Sequence, residues 1–193
     1  MKSKKEKKEY TISIKKANFY SMVYILPILL ILGGPYLIKW GISGLKENII
    51  KIGNPSINFI LFFISIIFGI IIHELIHGFF WALKAEKGWK SIKFGIKWKV
   101  LTPYTHCKIP LETKYYSLGV IMPAIVLGII PAIIAIINGK IFLLAFGILF
   151  TIAAGGDFVA LIMLSRLDSD YLVQDHPSKM GFMIYNSQSN HKE

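Results

Sequence analysis

Long apolar runs alternate along this chain with short lysine-rich segments. The runs cover about residues 17–37, 57–83, 117–137 and 141–164. Each holds the roughly 20 residues that a helix needs to cross a hydrocarbon core of about 30 Å. Only Asn138-Gly139-Lys140 separates the third run from the fourth, which predicts a tight antiparallel helical hairpin. Between the second and third runs the period changes. Ile92, Phe94, Ile96, Trp98 and Val100 alternate with Lys93, Gly95, Lys97 and Lys99. Period two predicts a β-strand with one apolar face, and a second extended piece is expected at about 105–111, after Pro103. The pair reads either as a hairpin resting on a membrane surface or as a strand whose free edge accepts an extended peptide. The expected fold is an all-α membrane protein: a four-transmembrane-helix bundle with a small cytoplasmic-side β-hairpin between spans 2 and 3.

Composition strengthens this picture. Hydrophobic residues make up 54% of the 193 residues and charged residues only 17%. The mean hydropathy is +0.55, too high for a water-soluble domain of this size to hide its apolar surface. Aromatic residues fall near the expected interfaces at Tyr20, Tyr36, Trp40, Trp81, Tyr115, Tyr116 and Tyr171. Pro27, Pro35, Pro123 and Pro131 lie in or beside the runs and are expected to kink or pack helices.

The net charge of +11 sets an orientation. Lys2, Lys4, Lys5, Lys7, Lys8, Lys15 and Lys16 precede the first run, and eight lysines from Lys84 to Lys114 occupy the loop between the second and third. The opposite side holds only Lys39, Lys46, Lys51 and Lys140. By the positive-inside rule the protein is a multi-pass cell-membrane protein with both termini cytoplasmic. Because the lysines cluster outside the apolar runs, they are assigned to topology and no nucleic-acid partner is expected. Residues 1–16 are expected as a basic tail and 172–193 as a polar tail. The first run is too long for a signal h-region and lacks a small-x-small cleavage site, so it is expected to be retained. The lone Cys107 makes no intrachain disulfide.

One cluster carries chemistry. His73-Glu74-Leu75-Ile76-His77 lies within the second run. Histidines four apart share a helix face and can reach one metal ion, with the glutamate placed to take a proton from water held there. In a soluble domain the pattern alone would be weak. In a membrane helix an ionised carboxylate costs about 2.5–3.5 kcal/mol, so the cluster calls for a compensating partner. Zinc takes three protein ligands and one open position in catalytic sites. Asp157, in Gly155-Gly156-Asp157, is the only other acid inside a run. His77 lies about 9 Å and Asp157 about 10 Å from the cytoplasmic ends of their runs, at about 1.5 Å per residue. The alternative is that Asp157 pairs with another polar group of the bundle. His106 is a candidate to contact the substrate or its transition state, or is an ordinary surface histidine. His176, before Pro177, reads as part of a turn, and His191 is assigned nothing.

The sequence resembles a known family through H-E-L-I-H-G in the second run, Y-T-H-C after the strand, M-P-A-I-V-L-G in the third, G-G-D in the fourth and D-H-P-S-K-M-G near the end. It is similar, from about residue 18 to 186, to the bacterial Putative zincin peptidase family of small membrane proteins. More distantly it resembles the site-two proteases. That wider resemblance implies an aspartate from a later span as third zinc ligand, which Asp157 matches, although Ala153-Ala154-Gly155-Gly156 replaces the Asn and Pro residues of the site-two pattern. The resemblance implies a membrane-embedded metalloprotease-like domain over 17–171, with Zn2+ as cofactor, Glu74 as base and a peptide or membrane-protein substrate cut near the cytoplasmic face. The competing class is a non-enzymatic metal-binding membrane protein, with a structural site or a partner or immunity role. A transporter has less support, since four spans without a repeat leave little room for alternating access.

Overall fold

The computed structural model describes residues 7–50, 54–98 and 102–185. In chain order it contains β1 (Lys7–Ile12), α1 (Ile14–Val23) and α2 (Ile25–Ile28), then a π-helical turn at Leu29–Gly33. There follow α3 (Gly34–Ile50), α4 (Pro55–Ala82), β2 (Ile92–Lys97), β3 (Thr102–Cys107) and β4 (Leu111–Glu112). The remainder is α5 (Thr113–Pro123), a second π-helical turn at Ala124–Ile129, α6 (Ile130–Asn138), α7 (Ile141–Ala153), α8 (Gly155–Leu164), β5 (Leu172–Asp175) and β6 (Met180–Tyr185).

Three composite helices are long and apolar enough to cross a membrane, and the bent pair α7–α8 makes a fourth if counted as one span. They coincide with the four apolar runs. Asn54 starts α4 by accepting from the Ser56 and Ile57 N–H groups, and Pro55 supplies the first helical residue, where its missing N–H costs nothing. Both π turns lie between two prolines: Pro27 and Pro35 flank one, Pro123 and Pro131 the other. A proline ring collides with the carbonyl four residues back, and a widened turn relieves that collision.

The fourth run departs from the expected continuous helix. It bends by 46° between α7 and α8, at Ala154, ahead of two glycines. Helices here touch through missing side chains. A Cβ on Gly147 would lie 2.6 Å from the Gly128 carbonyl and 2.7 Å from Ala132 N, so α6 and α7 approach backbone to backbone. Gly155 similarly admits Ser21 of α1. At the end of α6, Gly139 takes the left-handed conformation (φ 70°). The last carbonyls there are satisfied from α3: Tyr36 Oη donates to Gly139, Trp40 Nε1 to Ile136 and Lys39 Nζ to Ile137.

Two sheets gather where α1 begins, α4 ends, α5 begins and α8 ends. One is the expected hairpin, β2 antiparallel to β3, with Phe94 opposite Thr105. The expected strand residues 99 and 100 lie outside the described residues. The second extended piece divides into β3 and the short β4. The other sheet was not expected from the pattern. Its order is β1-β6-β5-β4, all antiparallel. Residues 7–12 and 172–185, expected in two tails, therefore pair with each other, because β6 alternates Phe182 and Ile184 into a core that includes Val173, Tyr116 and Leu164. His176 closes the β5–β6 turn: its Nδ1 accepts from the Ser178 and Lys179 N–H groups, and its Nε2 lies 3.4 Å from Glu9 of β1. Three of the expected interfacial aromatics, Tyr36, Trp81 and Tyr116, are buried in the bundle instead.

Apolar side chains along the helices mostly face outward. Ile60, Leu61, Phe63, Ile67 and Phe68 of α4 are exposed, although the helix has a mean hydropathy of 2.6 over its most apolar window. The α6–α7 contact sets a test. Gly147→Val should cost roughly 1–3 kcal/mol, because backbone atoms cannot retreat from the added carbons. Gly34→Ala, with nothing within 4 Å of its Cβ, should leave the melting temperature in detergent unchanged. Equal melting of both variants would refute the close-approach account.

Candidate metal centre

His73 and His77 lie on one face of α4, one turn apart, with ring centroids separated by 4.9 Å. Their Nε2 atoms face each other at 3.2 Å. The bend at Ala154 brings Asp157, in the first turn of α8, against both: Oδ2 is 3.2 Å from His73 Nε2 and Oδ1 is 3.6 Å from His77 Nε2. The first turn of a helix presents unpaired N–H groups and favours negative charge, so α8 offers an anion a suitable place in an apolar bundle.

The packing around His77 fixes its chemistry. Nδ1 lies 2.9 Å from the Gly119 carbonyl of α5. A carbonyl only accepts, so a proton sits on Nδ1, and Nε2, the nitrogen a neutral ring would leave bare, is the one turned to His73 and Asp157. Trp81, one more turn along the same face, stacks on His77 at 5.4 Å and 17°. Its Nε1 donates to the Tyr116 carbonyl, and its ring stacks in turn on Tyr116. A Cβ on Gly119 would stand 2.2 Å from Trp81 Nε1, so only glycine lets α5 deliver its carbonyl to His77 past the indole. Thr105 Oγ1 of β3 donates to the Glu74 carbonyl and ties the hairpin to the same turn of α4. Among the described residues the Glu74 carboxylate has no hydrogen-bond partner.

The donor atoms fit a divalent metal. Tetrahedral zinc with bonds of about 2.0–2.1 Å would hold its ligand atoms about 3.3–3.4 Å apart. The two Nε2 atoms are 3.2 Å apart, and Asp157 approaches them through different oxygens, Oδ2 at 3.2 Å from His73 and Oδ1 at 3.6 Å from His77; one ligand atom from each side chain lies within 4.8 Å of the other two. Two neutral imidazoles and one carboxylate are also the ligand types zinc accepts. Among the described residues this is the single cluster of three His, Cys, Asp or Glu side chains within metal-binding reach.

His106 does not join it. Its Nδ1 lies 3.4 Å from Asp175 Oδ2 of β5. Asp175 also accepts from the Cys107 N–H at 3.0 Å and from the Tyr116 hydroxyl. Burial pushes its carboxyl above the ordinary range, and burial likewise raises the Cys107 thiol. Sequence reasoning passed over Asp175, Gly119 and the structural role of Trp81. For Trp81 the signal existed, since 73, 77 and 81 continue one helical face. For Gly119 and Asp175 there was none, because their partners come from other elements.

The fold and the site together define a class: a helical chain with membrane-length apolar helices and a His-His-Asp metal-type constellation built on an HExxH turn. The chain belongs to the Putative zincin peptidase family, whose profile matches residues 66–172, just over half of its length. No curated protein and no solved structure matches it.

Asp175 makes a pH dependence testable. Its raised value means that the folded chain keeps a proton the unfolded chain has released. The resulting stabilisation is full below the ordinary value of 3.8 and is lost as pH rises through the raised one. The stability of the wild type relative to Asp175→Asn should therefore shrink as pH rises above about 4 and through the raised value. Thermal melts across that range check it, and a pH-independent difference would count against it.

Proposed function

We propose that the protein is a membrane-embedded zinc metallopeptidase, with His73, His77 and Asp157 as ligands and Glu74 as general base. The observation that carries the reading is the convergence of His73, His77 and Asp157, with ligand atoms within 4.8 Å of one another, and the Gly119 carbonyl that turns His77 Nε2 toward the group. Family membership supports the peptidase class. The outward-facing apolar helices support the membrane. The lysine distribution supports a cytoplasmic sheet end, and with it a peptide or membrane-protein substrate cut near that face.

Bound zinc would supply a Lewis acid for the scissile carbonyl and a more acidic water. Glu74, beside the first ligand, would take a proton from the water as its oxygen bonds to the carbonyl carbon, and would pass it to the amine nitrogen as the peptide C–N bond breaks. His106, held through Nδ1 by Asp175, has Nε2 left for a contact to the substrate or its transition state. A group of three ligands favours the enzyme over the structural metal site that is its competitor, since a structural zinc takes four.

The hairpin offers a place for the substrate chain. The Cys107 N–H donates to Asp175 rather than across to Ile92, and Pro103 has no N–H to offer Ile96. Pairs 92–107, 94–105 and 96–103 are thus of the non-hydrogen-bonded kind, and the amides of Phe94 and Ile96 turn to the outer edge of β2. That edge has no strand neighbour among the described residues. An extended peptide could pair with it on the hairpin whose Thr105 is bonded to the turn that carries Glu74.

Glu74→Gln should keep one zinc per chain and lose at least about a hundredfold in cleavage rate. His73→Ala should lose both. Metal analysis alongside a peptide-cleavage assay decides the matter, and purified wild type without stoichiometric zinc would sink the proposal. Ile96→Pro removes an outward amide only. It should raise KM severalfold with zinc content unchanged, and an unaltered KM would dismiss the edge as the substrate strand.

A further inference from the structure

A cavity of about 470 Å³ opens at the sheet end, on the side of the bundle formed by α1 and α8. Lys16, in the first turn of α1, and Arg166, two residues beyond α8, both line it. Tyr10 and Thr11 of β1 and Tyr20 of α1 add hydroxyl groups. Neither Lys16 nor Arg166 has an ion-pair partner among the described residues, whereas Glu9 nearby in sequence is already taken by Lys179 at 2.6 Å. Below it lies a second cavity of about 340 Å³. Pro27, Ile28, Ile31, Phe158 and Leu161 line this lower compartment. Tyr24 and Ile162 line both cavities, so the two adjoin.

The composition changes sharply along this path. Its mouth is cationic and rich in hydroxyls, while its floor is apolar apart from Tyr24. From Lys16 to Ile31 is fifteen residues, or about 22 Å of helix, somewhat more than the roughly 15 Å thickness of one leaflet's hydrocarbon. A peptide entering the lower compartment would bring amides that need partners, and the walls offer almost none. An acyl chain needs none. A phosphate diester carries the charge that two unpaired cations attract, and Arg can grip its oxygens bidentately.

On the reading of the helices as membrane spans, we propose that the α1–α8 groove is a binding site for one anionic phospholipid. Lys16 and Arg166 hold its phosphate, and an acyl chain occupies the apolar compartment. The lipid requires no zinc chemistry and touches none of the three ligands, although Phe158 in its floor adjoins Asp157. A lipid held there stiffens the contact of α1 with α8, the helix that delivers Asp157.

The test uses full-length protein purified in a neutral detergent. It is offered dioleoylphosphatidylglycerol or dioleoylphosphatidylcholine at equal mole fraction, and retained lipid is counted by native mass spectrometry. The expected result is one phosphatidylglycerol per chain, retained at least tenfold over phosphatidylcholine. The Lys16→Gln/Arg166→Gln double variant should lose that preference tenfold or more with its zinc content unchanged. If the double variant does not fold, each single variant should still show a severalfold loss. Ile31→Trp, which fills the apolar compartment, should lower retention with both cations in place. Equal retention of the two lipids, or wild-type retention by the charge variants, overturns the proposal. So does displacement of the lipid by an equal concentration of inorganic phosphate, which would assign the cations to a free anion. Alkaline carbonate extraction of membranes separates the two levels of reading. A chain released by carbonate defeats the membrane reading and the lipid site together. A chain that stays, yet does not discriminate lipids, defeats the lipid site alone.

Discussion

The hydrogen bond from His77 Nδ1 to the Gly119 carbonyl is the contact on which the site depends. An imidazole inside an apolar bundle must have its polar atoms satisfied, and this bond satisfies one while aiming the other at His73 and Asp157. It also dictates the neighbours. Gly119 has to lack a side chain because Trp81 passes 2.2 Å from where a Cβ would be. Trp81 in turn is held between His77 and Tyr116 and anchored by the Tyr116 carbonyl. One helix-to-helix bond therefore organises the seam between α4 and α5.

The third member of the group arrives by a different device. A straight fourth helix would carry residue 157 onward along the axis of α7, but the 46° bend redirects it. The bend also begins a new helix two residues before the carboxylate, placing Asp157 in a field that favours its charge. The prolines work in the same direction in the first and third spans, where widened turns absorb the missing N–H groups. Irregularity in these helices is concentrated at Pro and Gly, as expected where few other residues can relieve a backbone bond.

At the sheet end, the two ends of the described chain meet. β1 pairs with β6, and β5 sends Asp175 to Tyr116, Cys107 and His106. The chain ends thereby reach the hairpin and the helix that carry the proposed machinery. Edge strand, buried acid, metal-type group and cationic groove all lie within this one region. The far end is simpler: three donors of α3 close the carbonyls of α6.

The apolar runs, the hairpin and the His73–His77 pair were all legible in the sequence, because each depends on periodicity or length within one segment. So was Asp157 as a candidate, since it is the other acid inside an apolar run and its depth could be counted in residues. The four-stranded sheet was not legible. Its strands are short and lie far apart in the chain, so nothing local marks Lys7–Ile12 as the partner of Met180–Tyr185. Nor could the sequence separate Trp81 and Tyr116 from interfacial aromatics, since both settings favour the same residue types. Sequence alone determined which groups are too polar for their surroundings and therefore need partners. The tertiary structure decided who those partners are, because a hydrogen bond across helices is set by crossing geometry and by absent side chains, which no single segment encodes.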